Sequence, residues 1–251
     1  MKIAIVTGAS SGIGSEFCRL IDNESLDEIW IIARRADRLE TLAASMKTGC
    51  RVIPADLTDK SDIDSIVELL SLEKHSVQYL INCAGFGVFG TTAENRIEDI
   101  RGMIDLNCSA LAEITSRTIP FMSSGSSIIE VCSASAYLPL PFLNVYASTK
   151  AFVRSFCDGL RPELSKSGIN VLEVSPGWVE TDFISRSTSE FSVSEKVFAH
   201  TVTPKAVAEQ AMADLRKGRM RSICGGYNRF QVFCCRHLPS MASRIWMKSL
   251  H

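Results

Sequence analysis

The sequence predicts an α/β protein in which a doubly wound parallel sheet of about seven strands carries helices on both faces. Three observations predict it. Near-continuous apolar runs of strand length alternate with amphipathic stretches of helical period; the first such run passes straight into a glycine-rich turn that opens a helix; and no repeat, low-complexity tract or linker divides the 251 residues. Strands that are apolar along their whole length are covered on both faces, which selects a parallel sheet over a half-solvated antiparallel one.

The elements follow in order. "KIAIV" (2–6) is a short β-rich run, "TGASSGIG" (7–14) a tight turn, and 15–21 a helix. "EIWIIAR" (28–34) repeats the strand pattern, and "RADRLETLAASMK" (35–47) is an amphipathic helix with Leu39, Leu42 and Met46 on one stripe. "RVIPADL" (51–57) is a third strand, 62–72 a third helix, and "VQYLINCAG" (77–85) a fourth strand ending on small residues. A long helix containing "MIDLNCSALAEIT" (103–115), a strand at 126–133, a helix over 146–164, a strand at 169–175 and a weak strand at "RSICGG" (221–226) complete the alternation.

Hydrophobic residues make up 46% of the chain, enough for one sizeable core, so a single domain is expected over 1–251. A formal net charge of -1 offers no basic surface of the kind nucleic acid demands. No apolar run reaches the ~18 residues of a membrane span. The first strand starts at Lys2, leaving no room ahead of it for a signal or transit peptide, so the expected address is cytoplasmic. The nine cysteines are odd in number, with no C-x-x-C pair and no clustered histidine. They signal neither a disulfide framework nor a metal site, and most read as small buried hydrophobes.

The glycine turn carries the first functional expectation. Gly8 permits a sharp turn off the strand, Gly12 lets a pyrophosphate approach the backbone, and Gly14 allows close packing of the helix, whose free amides face the anion. Placed after the first strand and opening a helix, the turn reads as a Rossmann-like nucleotide site, with Ser10, Ser11 and Ile13 completing the binding loop. At the end of the second strand, where an acid would select NAD, stand Arg34 and Arg35. Cations there pair with a 2′-phosphate and favour NADP(H) over NAD(H), with Arg34 the preferred phosphate ligand.

"YASTK" places Tyr146 and Lys150 at i and i+4, on one face of a helix. Together with "TGASSGIG", "ADLTD" (55–59), "NCAG" (82–85), "DLNCS" with Asn107, "VCSAS" with Ser133 and "PGWVET" (176–181), it makes a chain that resembles the short-chain dehydrogenase/reductase family over nearly its whole length. The resemblance implies an NADP(H)-dependent oxidoreductase that interconverts a ketone and a secondary alcohol. It assigns Ser133, Tyr146, Lys150 and Asn107 as the catalytic residues. Tyr146 would exchange the proton and also contact the cofactor, Lys150 would lower the phenol's pKa and bind the nicotinamide ribose, Ser133 would hold the substrate oxygen, and Asn107 would support a proton relay. It further places Asp56 and Leu57 at the adenine, Asn82, Ala84 and Gly85 beside the cofactor, and Pro176, Gly177, Val179 and Thr181 on the nicotinamide side. Cys83 departs from the family's commoner second asparagine.

An apolar pocket wall is expected from 136–145, from 86–90 and from a loop insertion at about 183–200 that includes Phe183 and Phe191. Such a lining suits a steroid, bile acid, fatty acyl or aromatic carbonyl compound, as in hydroxysteroid dehydrogenases or 3-oxoacyl and carbonyl reductases, with reduction the expected direction. The residues from about 227 to 251 form a cationic, amphipathic extension that could cover the substrate pocket, and is expected to pack on its own domain or on a sister subunit of a homodimer or homotetramer; membrane-surface contact through 229–251 is a further reading. The alternatives are a same-fold isomerase or dehydratase, in which cofactor cycles without net consumption, and a non-catalytic NADPH sensor.

Overall fold

The computed structural model describes residues 1–138, 140–188, 191, 193–237 and 239–250. Pro139 of the expected pocket wall, residues 189, 190 and 192 of the expected insertion, and residues 238 and 251 of the extension lie outside the described residues.

Seven strands form one sheet in the order β3-β2-β1-β4-β5-β6-β7. They are β1 (Lys2–Thr7), β2 (Glu28–Ala33), β3 (Cys50–Pro54), β4 (Ser76–Asn82), β5 (Met122–Val131), β6 (Asn170–Val174) and β7 (Arg221–Ser222), and every pairing is parallel. The helices between them are α1 (Gly12–Ile21), α2 (Ala36–Ala44), α3 (Lys60–Glu73), α4 (Ile97–Ile104), α5 (Leu111–Thr118), α6 (Asn144–Leu164), α7 (Asp182–Ser187) and α8 (Pro204–Arg216), and α9 (Gly226–His237) and α10 (Pro239–Ser249) follow β7.

Period-2 alternation splits each strand between two apolar layers. Ala4, Val6, Ile29 and Ile31 pack with Phe17 of α1, Leu39 of α2 and Val207 of α8. Ile3, Ile5, Trp30 and Leu80 face the opposite way, onto Ile63 of α3, Leu111 of α5 and Val153 of α6. The doubly wound sheet expected from the sequence is thereby present, with helices on both faces.

Several boundaries differ from expectation. Residues 55–57 and 83–85 leave the sheet instead of extending β3 and β4, because at those edges the chain turns into the crevice where a doubly wound sheet binds ligands. The long helix expected around 103–115 is interrupted by a π-helical segment, Asp105–Ala110. The C-terminal extension packs on its own domain, as expected: it is a helical hairpin whose inward residues Val232, Cys235, Ala242, Trp246 and Leu250 join the main core. No helix among the described residues is long and apolar enough to cross a membrane.

Strand order reverses between β1 and β4, each of which pairs with the other and then with a neighbour on its far side. The C-terminal ends of parallel strands open a crevice at such a switch point.

Candidate active site

The glycine turn fills one end of that crevice. Gly8 and Gly12 have φ of 66° and 58°, the left-handed region that a side chain disfavours. Space forbids a Cβ as firmly: one on Gly8 would lie 2.7 Å from Ala84 N, and one on Gly14 2.4 Å from Gly8 O. The β1 turn, the β4 end and α1 therefore meet at backbone distance. Ser11, at the N-cap of α1, makes no side-chain bond to the helix amides, so these donors are left facing the crevice.

Cations gather at the outer edge of the same turn. Arg35 donates to Ser10 Oγ at 3.1 Å and to Ser11 Oγ at 3.0 Å. Its other guanidinium nitrogen lies 3.5 Å from Asp182 Oδ2, which Arg38 approaches to 2.9 Å. Arg34 points elsewhere, to Asp56 at 3.8 Å. Asp56 is pushed up by partial burial, but hydrogen bonds from Thr58 and the Arg34 charge hold it below the usual carboxylate range. Both arginines line the cleft, yet Arg35, not the expected Arg34, sits on the serines of the glycine turn. Successive side chains leaving a strand point to opposite sides, so only one of the two adjacent arginines can face the turn.

At the other end stand Ser133, just past β5, and Tyr146 and Lys150 on α6. All three are buried. The Ser133 hydroxyl accepts from Ser135 N at 3.1 Å and lies close enough to the Tyr146 phenol to pull its pKa down. Lys150 Nζ lies 5.8 Å from the centroid of the Tyr146 ring and donates to Val131 O at 2.8 Å. Burial raises the phenol above its ordinary pKa, against the pull of Ser133, and burial lowers Lys150 below the ordinary lysine value. In this geometry one of the ammonium's three donors is taken by Val131 O, and dehydration governs the phenol. The expected lowering of the Tyr146 pKa by Lys150 is not present in the protein alone.

A cleft of about 760 Å³ joins the two ends. Nearly all the residues the sequence nominated line it: Ser133, Tyr146 and Lys150, the glycine-turn positions, Arg34, Arg35, Asp56, Leu57, Ala84, Gly85, Pro176, Gly177, Val179 and Thr181. Asn82 and Asn107 do not. Asn82 donates to Thr115 Oγ1 at 2.9 Å and to Glu130 Oε1 at 3.1 Å, in a buried network beneath the strand ends. Its side chain points from β4 toward α5, away from the crevice. Asn107, in the π-helical segment, holds the backbone of Phe86 at both N and O and donates to Thr149 Oγ1 at 3.0 Å. A Cβ on Gly85 would lie 3.0 Å from Asn107 Oδ1 and 3.5 Å from Lys150 Nζ. Asn107 thus stands one glycine behind the lysine, where it fixes the β4 end against α6.

The remaining wall is apolar. Leu138, Leu140 and Leu143 line it, with Phe86 and Phe183. Phe183 also packs on the Tyr146 ring, centroids 5.3 Å apart. Phe89 and Phe191 do not reach the cleft: Phe89 stacks among Trp178, Phe191 and Trp246 at 6.0, 6.2 and 6.4 Å and backs the wall instead. Trp178, which the sequence did not single out, and Arg186 of the expected insertion, its guanidinium 4.4 Å from the Phe86 centroid, complete the lining. Gln231, Cys235 and Trp246 bring the C-terminal hairpin over the same cleft, the pocket-covering place its sequence allowed. Trp246 Nε1 donates to Pro141 O at 2.9 Å, tying that hairpin to the pocket wall. The inward spacings 228, 232, 235 and 242, 246, 250 were the available signal.

The residues present fit a dinucleotide. Glycines crowded at backbone distance make a cradle that any Cβ would fill, with uncapped helix amides and a serine-braced guanidinium at its rim.

Sheet topology and cleft together define a doubly wound α/β protein with its ligand site at the switch point. A family model described as short chain dehydrogenase matches residues 2–191, and the chain belongs to the short-chain dehydrogenase family. An uncharacterized oxidoreductase of Staphylococcus epidermidis is 29% identical over 208 residues, 82% of this chain and 89% of that protein. Among solved structures, a short-chain dehydrogenase from Sphingobium yanoikuyae in complex with NADPH is 23% identical and superposes with a TM-score of 0.79, covering 100% of this chain and 97% of that one. An actinorhodin polyketide ketoreductase with NADPH is 26% identical with a TM-score of 0.76, covering 90% of this chain and 97% of that one.

Proposed function

We propose that this oxidoreductase is NADP(H)-dependent and interconverts a ketone and a secondary alcohol on a hydrophobic substrate, working chiefly as a reductase. The observation that carries the reading is one cleft with a serine-braced arginine at one end and a buried serine, tyrosine and lysine at the other. The neighbours solved with NADPH, one of them a ketoreductase by name, support it.

Ser10, Ser11, Gly12, Ile13 and Gly14 would hold the pyrophosphate, and Arg35 with Arg34 the 2′-phosphate. Asp56 and Leu57 would take the adenine, Ala84 and Gly85 the ribose side, and Pro176, Gly177, Val179 and Thr181 the nicotinamide side. When bound, the cofactor supplies or accepts the hydride. Every other task falls to the chain. Ser133 holds the substrate oxygen and polarises it as negative charge develops. Tyr146 delivers a proton from its hydroxyl to that oxygen; its raised pKa keeps it protonated at neutral pH, as reduction requires. Lys150 binds the ribose and brings its positive charge against the phenol, and Asn107 supports the return of a proton toward Lys150 from behind Gly85.

The leucine and aromatic wall favours a bulky apolar ketone, of the hydroxysteroid or oxoacyl kind. The protein is read as one domain including the C-terminal hairpin, and as a homodimer or homotetramer. The exposed Phe152 on α6, stacked on Phe156 at 6.0 Å, favours self-association through that face.

The test is oxidation of NADPH and of NADH against a panel of hydrophobic ketones, with Tyr146→Phe as control. Turnover with NADPH that vanishes in the variant supports the reading. Tight NADPH binding without turnover on any ketone would replace it with a sensor or an isomerase.

A further inference from the structure

The C-terminal hairpin has two faces, and only the inner one is explained by the cleft. Of the chain's 27 Lys and Arg, eight fall within 215–251, a stretch containing none of its 28 Asp and Glu. Three of the eight are neutralised by the body of the protein: Arg216 by Glu24, Arg219 by Asp214, and Arg221 by Glu173 and Asp158. Arg229, Arg236, Arg244 and Lys248, all exposed on α9 and α10, form no ion pair among the described residues. The same two helices expose Tyr227, Phe230, Phe233, Ile245 and Met247, five of the eleven large hydrophobic side chains exposed among the described residues.

At ~3.6 residues per turn, the buried Asn228, Val232 and Cys235 mark the inner side of α9. Phe230 and Phe233 then fall on the opposite side, with Arg229 and Arg236 on one flank and Tyr227 on the other. On α10, Arg244 and Lys248 lie opposite the buried Trp246, flanked by Ile245 and Met247. Aromatic and aliphatic groups interleaved with unpaired cations on an exposed helical face are the composition of a segment that lies in a membrane interface.

We propose that the outer face of α9 and α10 docks on an anionic lipid bilayer. A second copy of the chain fits this face poorly: a two-fold contact would set four unpaired cations of one copy against four of the other, with no acid on either side to answer them. A bilayer answers both halves of the pattern, because lipid phosphates pair with the cations and acyl chains receive the rings. The inner faces of the same helices contribute Gln231, Cys235 and Trp246 to the cleft. Docking therefore brings the cleft wall against the lipid, a sensible location for an enzyme of apolar substrates if the proposed reductase activity holds. Lipid binding itself does not depend on that activity.

The test is sedimentation of the purified full-length protein with vesicles of phosphatidylcholine alone and of phosphatidylcholine with phosphatidylglycerol in equal parts. Binding to the anionic vesicles only, weakened by salt, is expected. Phe230→Ser with Phe233→Ser, and separately Arg236→Gln with Lys248→Gln, should each lower the partition coefficient by about tenfold or more. Both double variants should keep the wild-type thermal midpoint and NADPH affinity, which excludes misfolding. Three results would overturn the proposal: no binding to anionic vesicles, equal binding by wild type and both variants, or a wild-type dimer that the phenylalanine variant alone dissociates. The last would identify the face as a subunit interface.

Discussion

Lys150 lies one helical turn beyond Tyr146, with its Nζ 5.8 Å from the tyrosine ring centroid and bonded at 2.8 Å to the carbonyl oxygen of Val131. The two side chains therefore differ in what their loss should do. In the proposed reading Tyr146 would contribute chiefly its hydroxyl to proton transfer and only a minor contact to the cofactor. Tyr146→Phe should lower kcat by about 10²- to 10⁴-fold, the range for a lost general acid, while leaving the NADPH dissociation constant within a few-fold of wild type. Lys150→Met should impair both quantities, because in the proposed reading the same ammonium would serve proton transfer and ribose binding. Steady-state kinetics paired with fluorescence titration of NADPH separates the two outcomes; an unchanged dissociation constant in Lys150→Met would remove the ribose role.

A buried carboxyl beneath the site makes stability depend on pH. Glu130 is fully buried, and burial pushes its pKa up to about 7, against hydrogen bonds from Asn82 and Thr115. Its Oε2 has no hydrogen-bond partner. The unfolded chain releases this proton near pH ~4.3, so the folded state binds it more tightly. The contribution is fully present below about pH 4 and is lost as pH rises toward and through 7. Wild-type stability should fall by up to ~3 kcal/mol from this source between pH 5 and 8. In Glu130→Gln that decline should vanish, leaving the variant relatively more stable at pH 8. Denaturant unfolding across the pH range checks it, and parallel curves for the two proteins would refute it.

Cofactor choice should rest on Arg35 more than on Arg34. Arg35 is braced by Ser10 and Ser11 on the glycine turn, whereas Arg34 is largely exposed and turned toward Asp56. A charge-assisted hydrogen bond contributes about 1.5–3 kcal/mol, so Arg35→Ala should raise KM for NADPH by about 10- to 100-fold and leave NADH nearly unaffected. Arg34→Ala should do less. Asp182→Asn, which removes the carboxylate competing for Arg35 and Arg38, should tighten NADPH by only a few-fold, as expected for an exposed pair. Equal losses in Arg34→Ala and Arg35→Ala would show that the bound phosphate is held between them.

The order of these effects marks where the sequence was readable. Strand and helix alternation is a property of burial period, so β1 to β7 and the glycine turn are legible in the sequence, as are the motifs that bring Ser133, Tyr146 and Lys150 to one cleft. Three matters were not. Adjacent arginines swap sides with a one-residue change in strand exit, so Arg34 and Arg35 could not be ranked from order alone. Asn82 sits in a cofactor-adjacent motif, but the partners that turn it away, Thr115 and Glu130, are distant in sequence. The π-helical turn at Asn107 contains no glycine or proline and keeps the helical pattern of its neighbours, so composition does not announce it.

Trp246 links the last helix to the substrate end, and its removal should change selectivity before it changes chemistry. The indole is 8% exposed, lines the cleft, stacks near Phe89 and donates to Pro141 O. Trp246→Ala deletes a large buried ring, a change that costs about 3–5 kcal/mol in a closed core. Here part of the void opens into the cleft, where water or substrate can enter, so the loss should lie at the low end of that range. The enlarged wall should accept a bulkier ketone, lowering its KM relative to a small one, while the Pro141 carbonyl loses its donor and the leucine wall loosens. Trp246→Phe restores ring volume without the N–H. It should recover most of the stability and keep the wild-type preference for substrate size only in part. Thermal midpoints and kcat/KM for a small and a bulky ketone, measured on both variants, decide the matter: a preference unchanged in Trp246→Ala would place the substrate elsewhere in the cleft.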